Sequence, residues 1–372
     1  MKFKCDPKEL NKALEITSKA LNEKSKIIGF EGVRLSTENN YVVVTAASGE
    51  MYIEKKINAN ILVDGITFIK PMELKNLLNQ LREMESIEVE KIGNELFVYY
   101  GHSTGSYAVS MGVDEAIPSI DFDKKGDEFV IKEGDLKDAI EKTAFCVSIE
   151  ENRKALKGLF FDIKDKILTL VAIDGARVAI AKKDIVTDID TASFLIPGKI
   201  IDDISKIFEK ASNDPIKISI YRNYIVINRD NTNIVINLID EKFLDYQKFT
   251  QIGAQTVVVV DKKEMSIVLN RVFTVSQKAL QNYISIEAKD DMFKINSKTS
   301  ESSIDDYVPV KIEGKEILIG FNSKYLKESI DRINEDFFKI EFNGPMSPIS
   351  IKPISGDDYV YVLMPLKVMK QN

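Results

Sequence analysis

The same pattern occurs three times along this 372-residue chain, roughly 125 residues apart. The opening MKFKCDPKELNKAL returns as EFVIKEGDLKDAI and again as TVVVVDKKEMSIVL. In each copy an apolar residue (Phe3, Phe129, Val258) precedes a helix-core residue (Leu10, Leu136, Met265) by seven positions. A long internal repeat constrains the fold more than composition does, because one architecture must bury its core in every copy. The copies read as 1–125, 126–252 and 253–372, divided by the charged, turn-rich stretches GVDEAIPSIDFDKKGDE and DEKFLDYQKFTQIGAQ. Function should then lie in how the copies are arranged.

A second marker follows the first by about 60 residues in each copy: TFIKPMELKNLLNQL, SFLIPGKIIDDISKIF and ILIGFNSKYLKESIDRI. All three read as a short apolar strand, a turn and an amphipathic helix, with Leu74, Ile200 and Tyr325 at matching positions. A third marker aligns Ala46 and Gly49 of VVVTAASGEM with Ala172 and Gly175 of LTLVAIDGAR; the third copy, FKINSKTSES, loses that glycine. Between the helices run short alternating segments such as MYIEKKI, SIEVEKI and ELFVYY, bounded by Asn, Gly and Asp. Period-two alternation of this kind predicts antiparallel strands and hairpins. The fold class is α+β: three repeats, each about two helices and eight strands.

The net charge is -7, and on its own an acidic total argues against nucleic acid. Distribution decides, however. On the first helix Leu10, Leu14, Thr17 and Leu21 form one stripe, and Lys8, Lys12 and Lys19 form another opposite it. Lys75, Asn79 and Arg82 oppose the leucines of the second helix, and Lys199, Lys206 and Lys210 repeat the arrangement in copy two. A lysine face on one helix is ordinary solvation; its recurrence at equivalent places in a repeat points to a shared basic surface. No apolar run approaches the ~18 residues of a membrane span. The start of the chain turns charged at once, which leads us to expect no leader and a cytoplasmic setting. Two cysteines, Cys5 and Cys146, imply no disulfide framework.

Enzyme signals are weak. Gly101-His102-Ser103-Thr104-Gly105 matches a nucleophile elbow, but it joins two strands as a hairpin loop, and His102 is the only histidine, leaving no separate base. The acid pairs Asp202-Asp203, Asp290-Asp291, Asp305-Asp306 and Asp357-Asp358 read as turn residues. Phosphate loop, dinucleotide fingerprint and His/Cys metal cluster are all missing, so no cofactor and no metal are expected.

The segments ENRKALKGLFFDIKDKILTLVAIDGARVAI (151–180), FLDYQKF (243–249), LIGFNSKYL (318–326) and YVYVLMPLKV (359–368) resemble the bacterial DNA polymerase III β subunit, the sliding clamp family. The resemblance covers essentially the whole chain. It implies three clamp domains per chain and a homodimer closed head to tail into a ring. Helices would line the hole and sheets would form the outer wall. It implies a non-catalytic processivity factor that encircles duplex DNA without sequence specificity. A basic inner wall needs only the phosphate backbone, and an acidic exterior accommodates the net charge. It also implies partners: the replicative polymerase, a clamp loader and other proteins carrying clamp-binding motifs.

Carried over by position, the family's peptide pocket takes Leu156, Ile173, Gly175, Ala176, Arg177, Val178, Leu244 and Phe249 on one side. Asn322, Tyr325, Met346, Val362, Met364, Pro365, Leu366 and Lys367 supply the other, with Met364 and Leu366 expected as its floor. The DNA-facing set is Lys12, Lys19, Lys24, Arg82, Arg153, Lys199 and Lys206. Tyr107, Thr274 and Val275 stand at the apolar centre of the subunit interface, and Glu301, Asp305 and Asp306 are its expected acidic partners. The chain departs from the family at Ala176 (commonly histidine), Ile173 (often threonine) and Leu244 (often proline), which makes the pocket more apolar and leaves its preferred motif open. Two rivals belong to other classes: a repeat-built interaction scaffold that never surrounds DNA, and a nuclease or hydrolase using an acid pair or Ser103.

Overall fold

The computed structural model describes residues 1–22, 29–108, 126–149, 152–249 and 253–368. The first copy runs β1 (Lys2–Cys5), α1 (Pro7–Thr17), β2 (Val33–Glu38), β3 (Tyr41–Ala47), β4 (Met51–Asn58), β5 (Asn60–Val63), β6 (Ile66–Ile69), α2 (Pro71–Gln80), β7 (Ile87–Ile92), β8 (Glu95–Tyr100) and β9 (Ser103–Ala108). The second runs β10 (Asp127–Lys132), α3 (Glu133–Thr143), β11 (Gly158–Lys164), β12 (Ile167–Ile173), β13 (Arg177–Asp184), β14 (Val186–Thr187), β15 (Thr191–Pro197), α4 (Gly198–Ser205), β16 (Pro215–Ile220), β17 (Tyr224–Arg229) and β18 (Thr232–Asn237). The third runs β19 (Thr256–Asp261), α5 (Lys262–Ser276), β20 (Tyr283–Lys289), β21 (Met292–Lys298), β22 (Ser303–Gly314), β23 (Ile317–Asn322), α6 (Ser323–Asp331), β24 (Phe337–Phe342), β25 (Ile349–Pro353) and β26 (Tyr359–Leu363). Two helices and antiparallel strands recur in each copy, as the alternation predicts.

The helices start where the sequence supplies caps. The Asp6 carboxylate accepts from the Lys8 N–H at 2.7 Å and Pro7 occupies the first turn of α1. Asp261 caps α5 and Asn322 caps α6 in the same way. The fourth residue of α1, α3 and α5 is Leu10, Leu136 and Met265, all buried, as are Phe3, Phe129 and Val258 on the strands before them.

The second marker differs from expectation. Lys70 stands between β6 and α2, whereas β15 and β23 pass directly into α4 and α6. With the helix phase set from its first residue, the equivalents are Leu74, Ile201 and Leu326, each fully buried. The expected Ile200 and Tyr325 are one place out, and Tyr325 is only half-buried.

The molecule divides into two compact units. One comprises 1–133, 186–188 and 206–238; the other comprises 134–185, 189–205 and 239–372. The first unit holds a five-stranded sheet, β5-β1-β7-β8-β9, and a nine-stranded one, β14-β10-β16-β17-β18-β4-β3-β2-β6. The second holds a twelve-stranded sheet, β15-β11-β12-β13-β26-β25-β24-β19-β22-β21-β20-β23. Each long sheet is two copies joined edge to edge. β18 of copy two pairs with β4 of copy one, with Thr232 opposite Lys55 and Ile236 opposite Met51. β26 of copy three pairs with β13 of copy two, with Tyr359 opposite Ala181 and Leu363 opposite Arg177.

Replacing Leu326 with alanine should lower the unfolding free energy by about 2–5 kcal/mol, as for other leucines truncated in a closed core. Tyr325→Ala should cost clearly less in the same urea titration. Equal losses would return the core position to Tyr325.

Candidate functional site

The turn between β12 and β13 organises the candidate groove. Asp174 Oδ1 accepts from the backbone N–H groups of Ala176 and Arg177, both at 3.0 Å. The turn is present in all three copies: Ser48 Oγ accepts from Glu50 and Met51, and Thr299 Oγ1 accepts from Glu301 and Ser302. A side-chain oxygen at its first position is what the turn needs, so the third copy keeps it without the glycine. Gly175, at φ +93°, takes a left-handed conformation that favours glycine.

Around this turn the structure brings together much of the predicted pocket. Leu156, Ile173, Val178 and Val362 form one buried cluster with Phe243, and Phe249 packs against it. Val178 sits opposite Val362 in the β13–β26 ladder. Beyond β26 the chain stays bound: the Met364 N–H donates to Ala176 O at 2.9 Å and the Leu366 N–H to Gly320 O at 2.8 Å. A side chain at Gly320 would meet Leu366 O at 2.7 Å, so glycine is required there. Met364 is 47% exposed, Lys367 is exposed, and Pro365 and Leu366 are half-buried. Leu244 and Met346 stand outside the cluster, both exposed. Asn322 is half-buried, and its side-chain oxygen is engaged in capping α6.

Arg177 is only 7% exposed and is pinned on every side. Its Nε donates to Asp174 at 2.8 Å, Nη1 to Glu328 at 2.5 Å and Nη2 to the Phe145 carbonyl at 3.1 Å. Its guanidinium lies 4.4 Å from the Tyr325 ring centroid and 5.1 Å from that of Phe145. Asp174, Glu328 and Phe145 are missing from the sequence-based set. The first was legible as a turn residue; the other two reach Arg177 only through tertiary packing.

A second network lies nearby in the same unit. Asp138 pairs with Lys183 at 2.7 Å and Lys142 at 3.1 Å and accepts from Asn334. Burial works to raise the Asp138 pKa, but the Lys183 hydrogen bond and the charges of Lys142 and Lys183 outweigh it and hold the carboxyl below its ordinary range. Burial pushes the Cys146 thiol up, and that of Cys5 up to about 12, so neither is poised as a thiolate.

The basic residues fall into separate places. Lys12, Lys19 and Lys206, with Lys75, line one cleft of about 350 Å³ together with Ile16, Ile207, Phe208 and the carboxylates of Glu15 and Glu209, the latter 3.8 Å from Lys12. Lys206 and Lys210 lie past the end of α4 at Ser205, so they do not extend its face as expected. Arg82 is exposed and bonded to Asn79. Lys199 and Arg153 are exposed in the other unit. Lys24 lies outside the described residues. Tyr107 is in β9 with its side chain outside the description. Thr274 is exposed and Val275 half-buried on α5. Of the three expected interface acids, Asp306 forms a two-point pair with Arg271, at 2.6 and 3.0 Å, and Asp305 pairs with Lys294, both within their own chain, while Glu301 is exposed.

The enzyme motifs also change place. The β8–β9 turn is Gly101-His102 alone, and Ser103 already belongs to the strand. Asp202-Asp203 are helical and Asp305-Asp306 are on a strand, so only Asp290-Asp291 and Asp357-Asp358 lie between strands. Among the described residues no group of three His, Cys, Asp or Glu side chains is placed to hold a metal, and no helix is long and apolar enough to cross a membrane.

Three family models match: DNA polymerase III beta subunit, N-terminal domain at 1–115, central domain at 130–245 and C-terminal domain at 252–367. The chain is 23% identical to a beta sliding clamp of Staphylococcus epidermidis and 24% identical to that of Staphylococcus aureus, over 95% of this chain and 96% of each relative. Among solved structures, the DNA polymerase III beta subunit of Thermotoga maritima has a TM-score of 0.91 at 24% identity, covering 99% of this chain and 100% of that one. The DNA polymerase sliding clamp of Bacillus subtilis gives 0.90 at 21%, with the same coverage. At those identities the structures speak for the fold.

Two outcomes follow. A depressed folded-state carboxyl pKa means the unfolded chain takes up the proton first as pH falls, so Asp138 stabilises at neutral pH and that contribution is lost in acid. Asp138→Asn should flatten the acid limb of the stability–pH curve; an unchanged limb refutes the assignment. Arg177→Ala should cost about 3–5 kcal/mol by stranding Asp174 and Glu328. Arg177→Lys should recover little, lacking the planar fork, and full recovery in thermal melts would contradict the three-point pinning.

Proposed function

The chain belongs to the DNA polymerase III beta-subunit family, the beta sliding clamps, and on that basis we propose how its own residues carry out the family's task. Its domains are 1–125, 126–252 and 253–372, and two chains close head to tail around duplex DNA. It acts in the cytoplasm as an accessory subunit without catalysis of its own, and it depends on a loader to open the ring.

The observation that carries the ring is the strand joint. Copy two joins copy one through β18 on β4, and copy three joins copy two through β26 on β13. The repeat leaves two strands without that partner among the described residues: β9 and the first half of β22. Aligning the turns at Ser48, Asp174 and Thr299 makes Ser302 the equivalent of Met51 and Arg177. The corresponding pairing sets Asp306 opposite the partner's Ser103 and Ser302 opposite the partner's Tyr107. Thr274 and Val275 belong to α5, which packs against β22 beside this edge. A pairing between two different surfaces closes only when both ends are used, so two chains make two joints.

The clustered lysines support backbone contact. Lys12, Lys19, Lys75 and Lys206 gather about one cleft of an otherwise acidic chain. Arg82, Lys24, Arg153 and Lys199 complete the proposed DNA-facing set. Phosphate attraction of this kind is independent of sequence and screened by salt, while topology does the holding.

For partners, the exposed Met364 and Leu244 with half-buried Leu366, Pro365 and Phe249 offer the contact surface, and Leu156, Ile173, Val178 and Val362 form its foundation. A polymerase, a clamp loader or another protein with a clamp-binding motif would place an apolar anchor there. Methionine flexibility suits several such motifs in turn.

In solution at micromolar concentration and moderate salt, sedimentation should give twice the chain mass; a strict monomer sinks the ring. Loaded on nicked circular DNA, the protein should resist high salt, and linearising the DNA should release it. A scaffold that never surrounds DNA would show no such difference. Met364→Ala with Leu366→Ala should weaken a polymerase C-terminal peptide at least about tenfold, roughly 1.4 kcal/mol, with little change in melting temperature. Unchanged binding removes these residues from the groove.

A further inference from the structure

Sulfur is distributed unevenly over the chain. Cys5 and Cys146 are buried, and so are Met51 and Met265. Among the described residues the exposed methionines are Met72, Met346 and Met364, at 58%, 62% and 47%. Two of the three stand at one end of the groove. Ile349 pairs with Leu363 in the last rung of the β25–β26 ladder, so the turn that holds Met346 and the residue Met364 leave that ladder together. We propose that Met364 is a modification site, where a peroxide oxidises the thioether to the sulfoxide and so releases partners from the groove. The inference rests on the groove reading given above.

The reaction needs a sulfur lone pair within reach of solvent. Sδ attacks one peroxide oxygen, the O–O bond breaks and an S–O bond forms. The departing hydroxide takes the proton of the transferred hydroxyl and leaves as water, so sulfur loses two electrons and the peroxide gains them. Cysteine offers no competing route, because it reacts as the thiolate and burial pushes both thiols up. The core shields the thioethers of Met51 and Met265. Met364, by contrast, is held at the surface. Its N–H is bonded to Ala176 O at 2.9 Å, and the Leu366 N–H two residues on is bonded to Gly320 O at 2.8 Å. Folding thus fixes the backbone that carries this side chain.

Position decides the consequence. A sulfoxide oxygen is a hydrogen-bond acceptor, and an apolar anchor that covers it takes its water away without replacing it. The N–H groups of Ala176, Met364 and Leu366 are already bonded to Asp174, Ala176 O and Gly320 O, so none of these three is free to donate to it. The layer beneath is untouched: Leu156, Val178 and Val362 are buried in the cluster and carry no sulfur. Oxidation therefore falls on the contact and spares the fold. Met72 provides the contrast, because it is more exposed but lies on α2 in the other unit, outside the groove.

The full-length protein is treated with hydrogen peroxide, desalted and titrated with a labelled polymerase C-terminal peptide free of sulfur; each variant is compared with its own untreated sample. Peptide mass mapping should find the sulfoxide at Met364, with Kd raised about tenfold and the melting temperature unchanged. Methionine sulfoxide reductases for both epimers, with dithiothreitol, should restore binding. Peroxide should leave the Kd of Met364→Leu at its own untreated value, and should weaken Met72→Leu as much as the parent. Met364 still a thioether after Met72 is oxidised, a sulfoxide at Met364 with Kd unmoved, or a loss in Met364→Leu equal to the parent's overturns the proposal. The last of these assigns the effect to Met346 or to Met369, which lies outside the described residues. Failure of the untreated parent to bind overturns the groove reading itself, a different result from failure of peroxide to weaken binding.

Discussion

Edge-to-edge strand pairing is the interaction on which the rest of this structure depends. A sheet edge presents unpaired N–H and C=O groups, which invite any passing strand. Here each copy uses such an edge to hold the next. The β4–β18 and β13–β26 ladders turn two internal edges into continuous sheets of nine and twelve strands. Both joints use the strand that follows the side-chain-capped turn, at Ser48 in one and Asp174 in the other. The turn therefore sets both the direction and the starting point of the joining strand. The same turn survives at Thr299, beside the first half of β22, which pairs with β21 on one edge and carries no strand on the other among the described residues.

The same turn does a second task in the middle copy. Asp174 caps the turn through one carboxylate oxygen and holds Arg177 through the other. Arg177 in turn reaches Glu328 on α6 and stacks on Tyr325, so a residue that begins a joining strand also ties that joint to a helix of the next copy. Burying one guanidinium with two carboxylates contributes less to net stability than its bonds suggest, because desolvation opposes it. What it fixes is geometry: the Gly175-Ala176 corner, to which Met364 is bonded, cannot move without breaking that set.

The repeat, the strands and the helix cores were legible in the sequence because they rest on periodicity and on local capping. Leu10, Leu136 and Met265 fall in register for that reason. The slip at Ile200 and Tyr325 came from a single residue, Lys70, whose presence before α2 changes the helix phase and leaves no trace in hydrophobic pattern. The groove was legible only in part. Its apolar members could be matched to family motifs, yet matching did not separate foundation from contact surface; that follows from Leu156 being buried and Met364 exposed. Glu328 and Phe145 were invisible, since nothing local marks a carboxylate or a carbonyl that meets an arginine more than thirty residues away. Asp305 and Asp306 looked free for a partner because their cations, Lys294 and Arg271, sit elsewhere in the chain.

The division of the molecule bears on what each part is suited to do. The cut between compact units runs through the second copy, so β10 and β16–β18 share a unit with the first copy, while β11–β13 share one with the third. Every groove residue, from Leu156 to Lys367, therefore lies within one unit, as do Arg177 and its partners. Binding at such a site needs no assembly of separate halves, and the ordering that binding must otherwise bear is already met by folding. The lysine cleft of Lys12, Lys19, Lys75 and Lys206 lies wholly within the other unit. The groove residues and the four lysines of that cleft thus belong to different compact units of the chain, while Arg153 and Lys199 lie in the groove's unit. The groove residues and the lining of the lysine cleft share no member, so a protein contact proposed for the one and a phosphate contact proposed for the other draw on separate side chains.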